Sequence, residues 1–286
     1  MHPFHYAKVL KGAVKRNLQV DLNYKFQLVT DVIDMLLIIV AFTVLGAFVD
    51  EAADPGELGI DYGLQGFLLM GVLFWALYQR AYEDTVAALP EEASRGTIGF
   101  LVTNNVSLST LLLARNIASM VKTLLTTLFI VLPVLLMVDL AQGGMPGQRG
   151  LFAGFGLGDL PLIVGVFLLI WVFMLMVSLL VASLNIVSKR ITPFANMIVT
   201  ALKVLSGYYF PIEALDGYLG TGVSIWLKTH IPIITGLVFL RDMVLVPGPK
   251  PGFDVLWATY LEPMLVGIVP AFVLSFIVAI IVEIFL

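Results

Sequence analysis

Few residues in this chain are spaced for bond-making chemistry. A site that holds and hydrolyses nucleotide needs the loop G-x-x-x-x-G-K-[ST], whose backbone amides and lysine grip the phosphates, and no such run occurs in the 286 residues. The zinc signature H-E-x-x-H is also absent, and His2, His5 and His230 are not spaced as a helical metal pair. His2 with His5 offers a weak N-terminal metal site, against the simpler reading of a solvated tail. With no cysteine, disulfide and thiolate chemistry are excluded. Membrane-transferase work calls for clustered carboxylates, yet the sole close pair in an apolar context is Asp31 and Asp34. Pairing with Lys25 or a neighbouring cation at the entry to the membrane accounts for it, with a functional carboxylate as the alternative. No catalytic residue and no metal ligand is therefore assigned.

Two other polar groups are more informative than these. Glu91, Glu92, Arg95, Gly96 and Thr97 form a charged turn ahead of a new helix. Gly96 permits a sharp turn, Thr97 can cap the following helix, and Glu92 and Arg95 offer charges to another protein, although physics alone favours a plain solvated loop. Lys203 lies inside an apolar run, where an ammonium must face protein, water or an anionic group. It is a transport-path candidate, with pairing to Glu213 or snorkelling as the structural alternative. Asn185 is a further transport-path candidate, although it, Ser178 and Ser183 can simply hydrogen-bond between helices, and Tyr208 and Tyr209 suit an interface anchor.

The elements that position these residues are set by composition. Hydrophobic residues make up 59% and charged residues 13%, where soluble domains sit near half apolar and about 25% charged. The expected fold is an all-α membrane protein, one domain over residues 1–286 without a separate globular part. Over 4–25, Tyr6, Leu10, Val14, Leu18 and Leu22 recur every fourth residue, with Lys8, Lys11, Lys15 and Arg16 among the intervening positions. This predicts an amphipathic interface helix whose basic side meets lipid phosphates.

Six transmembrane helices follow, at about 32–49, 64–78, 112–138, 161–187, 193–210 and 264–282. The first is too long for a signal h-region and is expected to stay as an anchor. Asp50, Glu51, Asp54, Glu57 and Asp61 make the loop after it acidic, whereas the segment 83–110 and its flanks carry Arg80, Arg95, Arg115 and Lys122. By the positive-inside rule that segment and both termini are cytoplasmic. Pro133 is expected to kink the third span. The segment 206–262 is the least regular; its most apolar piece, 231–240, is too short to cross and reads as re-entrant or interfacial.

Glu92-Ala93-Ser94-Arg95-Gly96-Thr97-Ile98-Gly99-Phe100-Leu101 resembles the coupling segment E-x-x-x-G-T-L-E-x-L of the type-2 ATP-binding-cassette (ABC) exporter permeases. Ser206-Gly207-Tyr208-Tyr209-Phe210-Pro211-Ile212-Glu213-Ala214-Leu215 is similar to that family's S-G-x-x-F-P-x-x-x-L, and Ile231-Pro232-Ile233-Ile234-Thr235 with Arg241 to its P-L-T-Y and L-R elements. Gly99 stands where the family usually has an acid, Asn105 and Asp216 where it often has proline. The resemblance implies a permease subunit that dimerises, as a homodimer or heterodimer, and binds two copies of a cytoplasmic ABC ATPase, with substrate passing between the permease copies. ATP and Mg would be bound by the ATPase, so no cofactor belongs to this chain and nucleic acid is not a partner. It further implies that Tyr208, Tyr209 and Phe210 form an external gate, and that the interface helix and the Glu91–Thr97 turn receive the motor's motion in the cell (plasma) membrane.

Two other classes stand against this reading. An ion-gradient-driven secondary transporter should show internal repeats, and no convincing repeat relates the two halves. A lipid-modifying membrane enzyme should show clustered acids or histidines at one face, where this chain has only Asp31 and Asp34.

Overall fold

The computed structural model describes residues 3–52, 64–96, 107–143, 152, 154–187, 192–212, 220–246 and 248–285, and every regular element among them is helical. The chain opens with α1 (Pro3–Asn23), then α2 (Lys25–Ala52) and α3 (Leu64–Ser94). Next come α4 (Leu108–Thr126), a π turn (Thr127–Val131) and α5 (Leu132–Gly143), followed by α6 (Leu160–Val187) and α7 (Thr192–Leu205). The last part holds α8 (Thr221–His230), α9 (Pro232–Leu245), α10 (Phe253–Leu256), a second π turn (Trp257–Leu261) and α11 (Glu262–Phe285).

Among the described residues four helical stretches are long and apolar enough to cross a membrane: Lys25–Gly46, Ser109–Met137, Leu157–Asn185 and Phe253–Val278. A fifth arises if α8 and α9, bent by 90° at Ile231, count as one broken span. By length and composition this is a multi-pass helical membrane protein. Its outer surface agrees, since Leu37, Val40 and Val44 of α2, Phe129 before α5, and Phe272 and Phe276 of α11 are all exposed. Two hydroxyls on these helices bond back to the preceding turn, Thr43 Oγ1 to Ile39 O at 2.7 Å and Thr126 Oγ1 to Lys122 O at 3.0 Å, which satisfies those two donors without water.

The expected second and fifth spans fall outside the count for different reasons. Helix α3 is the hub, packed by α2, α4, α6 and α9, and its residues from Phe67 to Leu73 are buried almost without interruption. A helix wrapped in protein can carry Gln79, Arg80 and Glu83 in its wall, which lowers its apolar average. It also runs on past the expected end at residue 78, reaching 31 residues or about 46 Å. Helix α7 has only 14 residues and stops at Leu205, short of the expected 210. Gly207 adopts φ 74°, a left-handed conformation that ends a helix at little cost to glycine.

Both π turns precede a proline by two residues: Val131 before Pro133, and Leu261 before Pro263. A proline ring clashes with the carbonyl four residues back, and one widened turn relieves that clash while the helix continues. At Pro133, where a kink is expected, the helix carries such a widened turn. The last helical stretch begins at Phe253, well before the expected 264, so the irregular segment is shorter than 206–262. Its core, α8–α9, is packed against α6 and α11. At Gly267 an added Cβ would lie 2.6 Å from His230 O and 2.7 Å from Pro232 Cδ, so the absent side chain lets α11 cross the bend.

Candidate functional site

A cavity of about 150 Å³ opens between α2, α3, α4 and α7. Helical spacing supplies its walls: Asp31, Asp34, Met35 and Ile38 share one face of α2, and Val72, Trp75, Ala76, Gln79 and Glu83 share one face of α3. Asp31 takes an ion pair from Arg80 and another from Lys122 at 3.3 Å. It is therefore satisfied from α3 and α4, not by Lys25. Along α3, Trp75 Nε1 donates to Gln79 Oε1 at 2.7 Å and Gln79 Nε2 donates to Glu83 Oε1 at 2.6 Å.

Lys203 enters this cavity from α7 with its Nζ 4.4 Å from the centre of the Tyr208 ring and 5.8 Å from that of Tyr209. Tyr208 lies edge-on to Phe42 and Trp75, which fixes the ring under the ammonium. Lys203 and Tyr208 thus come together with the Asp31 group; Phe210 and Tyr209 do not line the cavity. Glu213 lies outside the described residues.

Asn185 lies elsewhere. Its Nδ2 donates to Val86 O at 3.3 Å. Val86 is four residues before Pro90, inside α3, and Pro90 has no N–H to give that carbonyl. The asparagine replaces the missing backbone donor and lines a second cavity with Glu91, Ser94 and Asn196. Ser178 takes part in another inter-helix knot: Asn116 Nδ2 donates to Ala81 O at 3.1 Å and Thr85 Oγ1 at 2.9 Å, with Ser178 Oγ at 3.5 Å, while Trp171 Nε1 donates to Asn116 Oδ1 at 2.9 Å. Asn116 is absent from the residues singled out by sequence; its signal is an amide beside Arg115 in a largely apolar stretch.

The charged turn closes onto α1. Arg16 Nη2 is 2.8 Å from Glu92 Oε1, and Arg115 bridges Asp21 at 3.1 Å and Glu91 at 3.8 Å. Arg95 lies 3.5 Å from Glu91, and Gly96 makes the turn at φ 70°. Glu92 is buried against α1 instead of facing outward, whereas Lys8, Lys11 and Lys15 are exposed. Helix α1 packs on α4. Thr97 lies outside the described residues; the N-cap of α4 is Ser107, whose Oγ accepts from Thr110 N at 3.3 Å.

Arg241, 1% exposed, joins the Tyr208 segment to the hub. Its Nη1 donates to Gly207 O at 2.7 Å, its Nε donates to Phe67 O at 3.2 Å, and the guanidinium lies 3.6 Å from the centre of the Phe67 ring. Gly71 leaves the space that the guanidinium occupies. No protein-family model and no curated protein matches the chain.

Proposed function

We propose that this chain is the membrane permease subunit of an ATP-driven exporter of the type-2 ABC kind, forming a substrate path as a dimer and driven by two separate cytoplasmic ATPase subunits. In this reading α2, α3, α4–α5, α6, α7 and α10–α11 make six crossings of the plasma membrane, α8–α9 bends back, and both termini are cytoplasmic. The observation that carries it is the clasp of α1 to the end of α3 through Arg16–Glu92 and Asp21–Arg115–Glu91. A displacement of α1 or of the Gly96 turn is passed to α3, and the same helix carries Trp75, Gln79 and Arg80 in the cavity wall. That is a lever between a surface turn and a membrane cavity, which a chain without a nucleotide loop needs. The test is to co-express the chain with a Walker-loop ATPase encoded beside it: a stable complex is expected, and Gly96→Pro should retain it while uncoupling ATP hydrolysis from transport.

An ion-gradient carrier is the second reading, favoured by the Asp31, Arg80 and Lys122 cluster and by the broken α8–α9 pair. Transport that follows an imposed proton or sodium gradient without any ATPase would select it.

A further inference from the structure

Three cations (Arg80, Lys122, Lys203) and three carboxylates (Asp31, Asp34, Glu83) line the cavity, so its formal net charge is zero. Their partners are unequal. Asp31 is held by Arg80 and Lys122, and Glu83 by Gln79 and, at 4.0 Å, by Arg80. Among the described residues neither a hydrogen bond nor an ion pair reaches the Asp34 carboxylate, and Lys203, which feels the charge of Glu83 but lies outside ion-pair distance of it, makes direct contact only with the Tyr208 and Tyr209 rings. One charge of each sign is thus left for a ligand. Ring contact does not consume the three donors of an ammonium, so Lys203 can still hold an anionic oxygen.

We propose that this cavity binds the headgroup of a zwitterionic amphiphile, its phosphate on Lys203 and its ammonium on Asp34. A ligand bearing a single charge would leave the cavity with a net charge, which costs more than a neutral total. The volume, about 150 Å³, is below the ~300–1,000 Å³ of sites that enclose a drug-sized molecule. It takes a head and leaves the tails outside. Ile33 and Leu37, exposed on α2 beside the Asp34 face, give those tails an apolar surface. The proposal deepens the transport reading by naming a substrate class, but binding is separable from pumping: a chain that selects zwitterions and needs no ATPase would end the pump reading and leave this one intact.

The test measures binding of short-chain phosphatidylethanolamine, short-chain phosphatidylglycerol and free phosphoethanolamine to the purified full chain in detergent. The zwitterionic lipid is expected to bind about tenfold tighter than either other probe. Asp34→Asn leaves the cavity with one excess cation and should turn the preference toward phosphatidylglycerol; Lys203→Gln should weaken both lipids. Equal or tighter binding of phosphatidylglycerol by the unmodified chain overturns the proposal, and that comparison requires no variant to fold. Free phosphoethanolamine binding as tightly as the lipid overturns the amphiphile assignment. An unchanged preference in a folded Asp34→Asn variant removes Asp34 from the site.

Discussion

Glu92 lies against Arg16, with Oε1 2.8 Å from Nη2 and only 8% of the acid side chain exposed. An acid at the tip of a hub helix is thereby committed to the helix that precedes the first crossing, across 76 residues of sequence. If the clasp transmits the motor's stroke, Glu92→Gln should lower transport per ATP hydrolysed by about 5–150-fold, the usual span of a coupling energy. The exchanged pair Arg16→Glu with Glu92→Arg should recover much of it. The check is the ratio of substrate moved to phosphate released in the assembled complex.

Gly96 turns the chain at φ 70° and its N–H bonds to Ala93 O at 3.1 Å. Proline forbids that φ and removes that donor, whereas alanine keeps the donor and costs about 1–2 kcal/mol of backbone strain. Gly96→Pro should therefore uncouple the complex fully and Gly96→Ala only in part, with assembly retained in both, as read by co-purification beside the same ratio.

Asn185 supplies the donor that Pro90 cannot give to Val86 O. Asn185→Leu should cost about 1–3 kcal/mol through an orphaned buried carbonyl. The double variant with Pro90→Ala should recover stability, because the restored N–H reaches the same oxygen. Thermal unfolding of the detergent-solubilised protein measures both.

Arg241 holds two carbonyls from segments far apart in sequence, Phe67 O and Gly207 O. Arg241→Met keeps the apolar stem but leaves the Gly207 carbonyl buried without its donor, for about 1–3 kcal/mol, while Phe67 O keeps its bond within α3. Because Gly207 precedes the ring under Lys203, headgroup binding should weaken along with stability.

Local signals in the sequence carry much of this fold. The four-residue spacing of Leu10, Val14 and Leu18 marks α1, the apolar runs mark the long helices, and Gly96 marks the turn. Contacts between helices are another matter. Asp31 meets Arg80 and Lys122, which lie 49 and 91 residues away, and no local pattern distinguishes them from nearby Lys25. The boundary expected at residue 78 also hides Gln79 and Glu83, because polar residues at the end of an apolar run read as a loop when the helix in fact continues inside a protein wall. Lys203 is conspicuous as a charge in an apolar helix; its aromatic seat depends on Gly207 ending α7 and on Arg241 anchoring the Gly207 carbonyl.

The central claim, that a separate ATPase drives passage through this chain, is tested most directly by reconstituting it in proteoliposomes with and without that subunit and measuring substrate movement on addition of ATP and Mg. Movement that requires both the ATPase and ATP is the predicted result. Movement of equal rate with the ATPase omitted would contradict it.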